Sequence, residues 1–240
     1  MGNVAAKVAL ITGAGSGIGR ATALRLAREG FTLALVGRTG RTLSETAAVA
    51  NVRCEVVPAD LTDAHAAAEV IDRCVDRLGR VDVLVNNAGH SPAATIAETT
   101  PVMASEIFAL NAVAPCVAIA RAWPVFERQH RESGVGGVIV NVSSIATLDP
   151  FETLYAYAAA KAGVNLLARS AAKSGARIGV RAFSVAPGAV ETPLLRTLVP
   201  ESALPTSKTL SPDAVAEVIA ECILGSRNDQ NGRTIWMPSP

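Results

Sequence analysis

Short runs of consecutive apolar residues alternate with longer segments of helical pattern along the first half of the chain. The apolar runs cover residues 8–11, 31–36, 52–57 and 81–85. Strands that are buried on both faces require such runs, whereas a strand with one solvent-exposed face alternates between apolar and polar residues. The succession of strands and helices therefore predicts right-handed crossovers and a doubly wound parallel β-sheet, with helices on both faces in a three-layer αβα arrangement.

The second half of the chain repeats this rhythm less regularly. Helices are predicted over residues 102–129, 153–174 and 213–224, and strands over residues 138–142, 178–185 and 234–237. We expect Pro115 and Pro124 to kink or divide the first of these helices. Residues 194–211 are irregular, and a long irregular segment in a compact domain is typical of a functional lid. The prediction is one domain over residues 1–240 that includes a substrate lid over residues 194–211.

The composition narrows the range of partners. Of the 240 residues, 50% are hydrophobic and 4% aromatic, and the net charge is +1. A nearly neutral chain has no field to attract nucleic acid or an acidic membrane, and few aromatic side chains are available to stack on bases. The four cysteines are scattered without a histidine cluster, so we expect neither a metal site nor disulfides. Since the start of the chain also lacks the pattern of a signal peptide, we expect a cytoplasmic protein that binds a small molecule.

A glycine-rich turn follows the first predicted strand. Its sequence is Thr12-Gly13-Ala14-Gly15-Ser16-Gly17-Ile18-Gly19. The glycines let the backbone approach a ligand closely, and the N-terminus of the helix that follows attracts a pyrophosphate. The turn predicts a dinucleotide site at the first β-α junction of a Rossmann-type sheet, and a plain tight turn is the structural alternative.

The second predicted strand ends at Gly37-Arg38-Thr39. A site for NAD usually places Asp or Glu here, where the carboxylate binds the ribose 2′-hydroxyl. Arg38 instead offers a guanidinium that suits a 2′-phosphate. The predicted cofactor is therefore NADP(H), with NAD(H) as the alternative. A solvated arginine at the end of a strand is the structural alternative.

Further motifs follow in a fixed order. They are Asp60-Leu61, Asn86-Asn87-Ala88-Gly89, Asn111, Ser144, Tyr157-Ala158-Ala159-Ala160-Lys161 and Pro187-Gly188-Ala189-Val190-Glu191-Thr192. With the glycine-rich turn, they make the chain resemble the short-chain dehydrogenase/reductase family, in its single-domain oxidoreductase branch, over nearly the whole length. The resemblance implies an enzyme that interconverts a carbonyl compound and a secondary alcohol by hydride transfer, with Tyr157 as general acid/base.

The resemblance also implies a role for each motif. Asn111 would hold a water, Ser144 would polarise the substrate oxygen, and Lys161 would bind the nicotinamide ribose. Asp60 and Leu61 would border the adenine, and Val190 and Thr192 would hold the nicotinamide carboxamide, which defines an adenosine end and a nicotinamide side of the expected site. The catalytic residues would thus be Asn111, Ser144, Tyr157 and Lys161. The cofactor-binding residues would be Gly13, Gly15, Ser16, Gly17, Ile18, Gly19, Arg38, Thr39, Asp60, Leu61, Asn87, Ala88, Gly89, Tyr157, Lys161, Pro187, Gly188, Val190 and Thr192.

The tyrosine and the lysine also have a physical rationale of their own. Tyr157 and Lys161 are four residues apart in a predicted helix, so their side chains share one face about one turn apart. A tyrosine ordinarily titrates near pH ~10, and a nearby ammonium is expected to lower that pKa. Tyr155 has no lysine four residues further on. Ser143 adjoins Ser144, but neighbouring residues of a strand point to opposite faces, so we expect only Ser144 to face the cleft.

Some positions depart from the family pattern and leave alternatives open. Phe183 stands where many relatives have Asn, and the chain ends in Trp236-Met237-Pro238-Ser239-Pro240 where Gly-Gly is usual. The bulk of Ile145, Leu148 and Phe151 argues against a 3-oxoacyl-(acyl-carrier-protein) reductase, which stays an alternative beside an NAD-dependent alcohol dehydrogenase. A non-catalytic dinucleotide sensor conflicts with the intact set of catalytic residue types, and a sugar-nucleotide epimerase would need a second domain.

The long helical region also predicts self-association. Its apolar residues exceed what one helix face packed on a sheet would use, among them Ile107, Leu110, Val113, Val117 and Ile119. The family resemblance implies that this region and the helix over residues 153–174 pair with their twofold mates. We therefore expect a symmetric homotetramer, or a homodimer.

Overall fold

Seven parallel strands form one sheet in the computed structural model, which describes residues 6–240. The strands are β1 (Val8–Thr12), β2 (Thr32–Gly37), β3 (Cys54–Pro58), β4 (Val83–Asn86), β5 (Val138–Val142), β6 (Arg181–Pro187) and β7 (Thr234–Met237). Their order across the sheet is β3-β2-β1-β4-β5-β6-β7. The predicted doubly wound sheet is confirmed. The part of the signal-peptide argument that concerns residues 1–5 lies outside the described residues.

Eight α-helices flank this sheet within the described residues. They are α1 (Gly17–Arg28), α2 (Gly40–Ala50), α3 (Ala64–Leu78), α4 (Pro101–Phe108), α5 (Ala114–Ser133), α6 (Tyr155–Gly175), α7 (Pro193–Leu198) and α8 (Pro212–Leu224). Helix α3 shows how the sequence sets such boundaries. Its first turn is capped by Asp63, whose carboxylate accepts the His65 N–H at 2.8 Å, and it ends at Gly79 with a φ of 82°. An acidic N-cap and a left-handed glycine are strong helix ends.

The core lies in two layers, one on each side of the sheet. Helices α1, α2 and α8 bury Leu26, Leu43 and Ile219 on one face, and helices α3, α5 and α6 bury residues such as Ile71 and Phe126 on the other. Consecutive strand residues therefore belong to different layers. This burial on both faces is why the strands are apolar throughout rather than alternating.

A π-helical segment, Ala109–Val113, divides the long helical region into α4 and α5, and Asn111 lies at its centre. Pro115 has no N–H to donate to the carbonyl of Asn111, four residues earlier, so the division falls where this proline was expected to act. Helix α5 continues through Pro124, so this second proline does not divide the helix. Asn111 also contributes to the segment, because its Nδ2 donates to the carbonyl of Ile107 at 2.8 Å.

The apolar surplus of this region is also distributed differently from the prediction. Ile107 and Ile119 are buried within the chain, whereas Val102, Phe108 and Val113 are exposed. By length and composition alone, the combined helical stretch Pro101–Ser133 could cross a membrane. The core helix of a soluble protein passes the same test.

Part of the segment predicted to be irregular is helical. Helix α7 covers its start, and a 3-10 turn forms at Thr206–Lys208. Thr192 caps α7, because its Oγ1 accepts the Leu195 N–H at 3.2 Å, and Pro193 follows at the first helical position. A capping residue followed by proline is a helix-start signal, so the irregular reading of residues 194–198 was wrong.

Candidate active site

A cleft of about 540 Å³ opens at the carboxyl ends of the strands. The order of the strands reverses between β1 and β4, and the crevice of such a sheet lies at this point. The glycine-rich turn after β1, Arg38 after β2, Asp60 after β3 and Asn87 after β4 all line the cleft. Since the strands are parallel, segments that are far apart in sequence meet at this edge.

The glycine-rich turn is shaped for close approach. Gly13 has a φ of +66°, and a Cβ at this residue would lie 2.7 Å from Asn87 Nδ2. A side chain at Gly19 would collide with the carbonyl of Gly13. Within the described residues, the Ser16 side chain makes no capping hydrogen bond to α1, and the first turn of α1 contains no acidic residue. The N–H groups that begin α1 are thus available to an anion, which fits a pyrophosphate.

The Asn-Asn motif ties the end of β4 to this turn. Asn87 Nδ2 donates to the carbonyl of Thr12 at 2.8 Å, and the N–H groups of Asn87 and Ala88 donate to Thr12 Oγ1 at 2.9 Å each. Asn86 Nδ2 donates to Asn141 Oδ1 on β5 at 2.9 Å. These residues therefore hold the sheet edge together in addition to bordering the cleft.

The adenosine end of the cleft is charged. Arg38 and Asp60 line it from β2 and β3. The Asp60 carboxylate accepts the Thr62 N–H at 3.0 Å and the Thr62 hydroxyl at 2.8 Å. These bonds, with a smaller contribution from Arg38, lower the pKa of Asp60 below its ordinary value. Asp60 therefore caps a turn while it lines the cleft, so both roles weighed for it are compatible.

The two serines after β5 point in different directions. Ser143 is buried, and its hydroxyl donates to the carbonyl of Lys161 at 3.3 Å. Ser144 Oγ accepts the Ala146 N–H at 3.2 Å, and the hydroxyl interacts with Tyr157. Neighbouring strand residues alternate in direction. Ser143 is thus used to hold α6, and Ser144 is the serine placed beside the tyrosine.

Tyr157 and Lys161 lie on one face of α6, at the cleft. The Lys161 Nζ is 5.6 Å from the centroid of the Tyr157 ring and donates to the carbonyl of Val142 at 2.7 Å. Burial lowers the pKa of Lys161 to about 8 and raises the pKa of Tyr157 to about 12, while Ser144 acts on Tyr157 in the opposite sense. The expectation that the ammonium would lower the tyrosine pKa is not met, because burial raises it and the opposing influence comes from Ser144 and not from Lys161.

Asn111 lies behind this pair. Its Nδ2 donates to the carbonyls of His90 and Ile107, at 2.8 Å each. Its Oδ1 is buried and has no hydrogen-bond partner among the described residues. A Cβ at Gly89 would lie 2.8 Å from Asn111 Oδ1 and 3.3 Å from Lys161 Nζ. Because Gly89 has no side chain, a space remains between Asn111 Oδ1, which has no partner among the described residues, and Lys161 Nζ.

The loop after β6 closes the nicotinamide side of the cleft. Pro187, Gly188, Val190 and Thr192 line it. The Thr192 hydroxyl donates to the carbonyl of Val190 at 3.1 Å. The C-terminal tail supports this loop, because the Ser239 hydroxyl accepts the Ala189 N–H at 2.7 Å. The tail thus stands directly behind the cleft where the usual Gly-Gly is missing.

The structure brings nearly all of the predicted site residues to this one cleft. Gly19 and Asn111 do not line it, although each contacts residues that do. Sequence reasoning missed part of the lining. The missed residues are Gly37, Thr42, Leu43, Ala59, Ser91, Leu110, Val142, Ser143, Ala189 and Pro193. Leu194, Leu195, Leu198, Val199 and Leu204 also line the cleft, and they belong to the segment predicted to be the lid. For Thr42 and Leu43 a signal existed, since the helix after β2 must begin beside Arg38.

The substrate arm of the cleft, beyond Ser144 and Tyr157, is apolar. Its lining is Ser91, Ile145, Phe151, Leu194, Leu195, Leu198, Val199 and Leu204. The charged residues among the described lining of the whole cleft are Lys161, which lies beside Tyr157, and Arg38 and Asp60, which follow β2 and β3. The arm therefore favours an uncharged ligand.

Histidine and metal chemistry have no place in this site as far as residues 6–240 show. No group of three or more His, Cys, Asp or Glu in that range could hold a metal ion. His90 is exposed and contributes its backbone carbonyl to Asn111 rather than its imidazole to the cleft. Phe183, the departure in β6, is fully buried in the core, so the change is one of packing.

A doubly wound sheet with a glycine-rich turn at its crevice defines a dinucleotide-binding protein of the Rossmann class. The sequence model of the family described as short chain dehydrogenase matches residues 7–203. The chain belongs to this family.

Similar proteins specify the class of reaction. The chain is 34% identical over 226 residues to cis-4-hydroxycyclohexanecarboxylate dehydrogenase of Sinomonas cyclohexanicum, covering 90% of this chain and 88% of that protein. It is 34% identical over 197 residues to levodione reductase of Leifsonia aquatica, covering 79% and 71%. The crystal structure of 3-ketoacyl-(acyl-carrier-protein) reductase from Brucella melitensis complexed with NADH superimposes with a TM-score of 0.89 at 28% identity, covering 97% and 96%. The chain is an oxidoreductase that acts on hydroxyl or carbonyl groups with a nicotinamide cofactor.

Proposed function

We propose that the protein is an NADP(H)-dependent oxidoreductase that interconverts an uncharged carbonyl compound and its secondary alcohol, with Tyr157 as general acid/base. One observation carries the proposal. Ser144, Tyr157 and Lys161 converge on one wall of the cleft, beside the loop that borders the nicotinamide side. The bound cofactor supplies or accepts the hydride.

The protonation states suit the reduction of a carbonyl group. A pKa of about 12 keeps Tyr157 a neutral phenol at physiological pH. The phenol can therefore donate its proton to a substrate oxygen, while the Ser144 hydroxyl hydrogen-bonds the same oxygen and fixes its position. Lys161, with a pKa of about 8, carries a positive charge nearby that stabilises the phenolate left behind.

Asn111 completes a route for the returning proton. Its buried Oδ1 lacks a partner among the described residues and faces Lys161 across Gly89. A water in this space can accept from Lys161 and donate to Asn111. We infer that the proton lost by Tyr157 is replaced through Lys161 and this water.

The apolar substrate arm points to a neutral substrate of small or medium size. A carboxylate or phosphate would lose its hydration there without gaining a cationic partner among the described lining residues. Phe151 narrows the arm on one side, which disfavours a tethered 3-oxoacyl chain, the second candidate. That candidate keeps support from the likeness to the Brucella melitensis reductase.

Tyr157→Phe tests the catalytic role. We expect turnover to fall by roughly 10³-fold, as is typical when a general acid is removed, while NADPH still binds. The measurement is the steady-state rate with a panel of neutral ketones, together with NADPH titration by fluorescence. Tyr155→Phe is the matched control, since Tyr155 lies on the same helix two residues away and packs beside Ile107 and Ala156. Equal rates in the two variants would refute the role of Tyr157.

Arg38→Asp tests the cofactor preference. The change replaces a partner of the 2′-phosphate by a repelling charge, so kcat/KM for NADPH should fall by roughly 100-fold and that for NADH much less. Arg28→Asp makes the same change of charge at the exposed end of α1 and serves as control. If Arg38→Asp lowers kcat/KM equally for NADPH and NADH, Arg38 is only a surface residue and does not set the cofactor preference.

The proposal includes a cytoplasmic location. Cys54, Cys74, Cys116 and Cys222 are all free thiols. Burial raises the pKa values of Cys74 and Cys222 to about 12, which leaves these two thiols protonated and unreactive. Four unpaired thiols suit a reducing compartment.

A further inference from the structure

An ion pair outside the reacting groups joins both ends of the lid. Glu191 stands between Val190 and Thr192 on the nicotinamide side of the cleft, and Arg196 lies in α7. Together with Thr206 and Thr209, they form a cluster that we call the lid latch. Its contacts reach across the whole segment from residue 191 to residue 209.

Arg196 is the centre of the latch. Its Nε donates to Glu191 Oε1 at 2.7 Å, and its Nη2 donates to Glu191 Oε2. Its Nη1 donates to the carbonyl of Leu204 at 2.8 Å and to that of Val199 at 3.4 Å. One guanidinium thus joins the end of α7 and the turn at residues 199–204 to the loop after β6 that contains Glu191. A planar fork of donors is needed for such a set, and Lys cannot supply it.

Glu191 fixes the far end of the segment. Its Oε2 lies 3.2 Å from the Thr206 hydroxyl and 3.3 Å from the Thr209 hydroxyl. It shares the first hydroxyl with Glu201 Oε1, at 3.0 Å, and the second with the carbonyl of Thr206, at 2.8 Å. The backbone continues this attachment, since Glu191 N–H donates to the carbonyl of Leu210 at 2.9 Å. The Arg196 hydrogen bonds hold the pKa of Glu191 below its ordinary value, so the carboxylate stays charged at neutral pH.

The residues that the latch positions line the substrate arm. Leu194, Leu195 and Leu198 belong to α7, and Val199 and Leu204 carry the carbonyls that Arg196 binds. All five line the cleft, as does Phe151. Because the guanidinium is fully engaged with Glu191, Thr206 and two carbonyls, it offers little to an anionic substrate.

We propose that Glu191 and Arg196 are positioning residues that hold the leucine wall of the lid over the substrate arm before substrate arrives. This inference rests on the proposed function for the identity of the arm. It predicts that the latch governs the binding of substrate, and that neither hydride transfer nor cofactor binding depends on it directly. A preformed lid lowers the cost of ordering the segment at each turnover.

Arg196→Gln, Glu191→Gln and the double variant test the latch. Each single variant should raise KM for a neutral ketone by roughly 10-fold with a smaller change in kcat, because positioning is lost and chemistry is kept. The double variant should be no worse than either single one, since both act through one interaction. Arg196→Lys should recover only part of the loss. The dissociation constant of NADPH should stay within about twofold in all of them, because neither Glu191 nor Arg196 is among the residues that line the cleft.

Arg227→Gln is the matched control. The Arg227–Glu221 pair at the end of α8 has similar exposure, with its Nε–Oε2 distance at 2.6 Å, but it lies away from the cleft. Arg227→Gln should therefore leave KM for the neutral ketone unchanged. Additive losses in the double variant, or equal KM values in Arg196→Gln and Arg227→Gln, would overturn the proposal.

Limited proteolysis separates this inference from the proposed function. Thermolysin cleaves at leucine, and the Arg196→Gln chain should be cut between residues 194 and 204 several times faster than the wild type or Arg227→Gln. If the wild type reduces none of the ketones tested, the proposed substrate class fails while the proteolysis still decides the latch. If cleavage rates are equal in all three, the latch does not hold the lid.

Discussion

Lys161 is a buried cation whose charge depends on pH within the physiological range. The residue is 3% exposed, and burial lowers its pKa from an ordinary value of 10.5 to about 8. The charge that would stabilise the Tyr157 phenolate is therefore present at neutral pH and is lost as the pH rises through about 8.

We predict that kcat for carbonyl reduction falls as the pH rises through about 8. Tyr157, with a pKa of about 12, stays protonated over this range and should contribute no second break below pH 10. The measurement is kcat from pH 6 to 10 at saturating NADPH. Lys161→Arg, which keeps its charge at pH 10, should lose the break whatever activity it retains. A wild-type profile that is flat to pH 9.5 would contradict the assignment.

The contribution of Lys161 to stability should change in the opposite direction between about pH 8 and 9, which separates the loss of rate from unfolding. Above about pH 9, Cys74 and Cys222 act against it, because burial raises the pKa of each thiol to about 12. Folding lowers the Lys161 pKa, so between about pH 8 and 10.5 the unfolded chain binds the extra proton. Lys161 therefore makes the folded state more stable as the pH rises through this window. A lower melting temperature at pH 9 than at pH 7.5 would mean that other groups dominate.

At the residue scale, spacing and direction were predictable and environment was not. The four-residue spacing of Tyr157 and Lys161 predicts a shared helix face, and strand alternation predicts opposite directions for Ser143 and Ser144. The direction of the tyrosine pKa shift depends on how many atoms from distant segments surround the phenol. That burial is a property of the assembled cleft, so the sequence argument had the wrong sign.

Elements were predictable where the signal is local. The cap at Asp63 and the left-handed glycine at Gly79 mark the ends of α3 in both sequence and structure. Pro58 follows the apolar run 52–57, and a proline is unusual within a strand, yet it pairs in register with Gly37 within β3. Strand β3 is at the edge of the sheet, where a residue without an N–H is tolerated. The place of β3 at the edge depends on the order of all the strands in the sheet, so the apolar run at residues 52–57 could not predict it.

The C-terminal tail is an element whose role only the structure reveals. The segment after β7 brings Ser239 against the loop after β6, where its hydroxyl accepts the Ala189 N–H at 2.7 Å. A Cβ at Gly188 would lie 2.8 Å from the Ser239 nitrogen, so the tail fits closely. The tail thus takes part in shaping the nicotinamide side of the cleft.

Ser239→Ala should loosen this loop without unfolding the protein. Loss of one hydrogen bond to a backbone N–H costs about 1 kcal/mol, which corresponds to a fall of roughly 2–4 °C in Tm. We expect a rise of a few-fold in KM for NADPH, measured by steady-state kinetics beside calorimetry. Ser226→Ala, at an exposed residue after α8, serves as the control and should change neither the Tm nor the KM for NADPH. An unchanged KM with a lowered Tm would limit Ser239 to a structural role.

At the scale of the whole molecule, exposed apolar side chains concentrate on one surface. Val102, Phe108 and Val113 from the α4–α5 region and Leu166 from α6 are between 41% and 65% exposed. Helices α4 and α6 are in contact, and we infer that these four residues, which we call the apolar patch, share one surface. Trp236 adds a second site on the edge strand β7 and is 38% exposed. Apolar patches of this kind mark interfaces between proteins.

We predict a symmetric homotetramer in which the apolar patch and the β7 edge each pair with a twofold mate. Light scattering at micromolar concentration should give about four times the 24.7 kDa of one chain. Leu166→Glu places a charge inside the proposed helix contact and should lower the mass to that of a dimer or a monomer. Val49→Glu, on α2 and 57% exposed, introduces the same charge elsewhere and should leave the mass unchanged. Because α6 carries Tyr157 and Lys161, burial of its outer face should also fix the position of this catalytic pair. We therefore expect Leu166→Glu to be less active than the wild type as well as dissociated. A wild-type mass near that of one chain would refute the oligomer, and full activity in a dissociated Leu166→Glu would remove the link between assembly and catalysis.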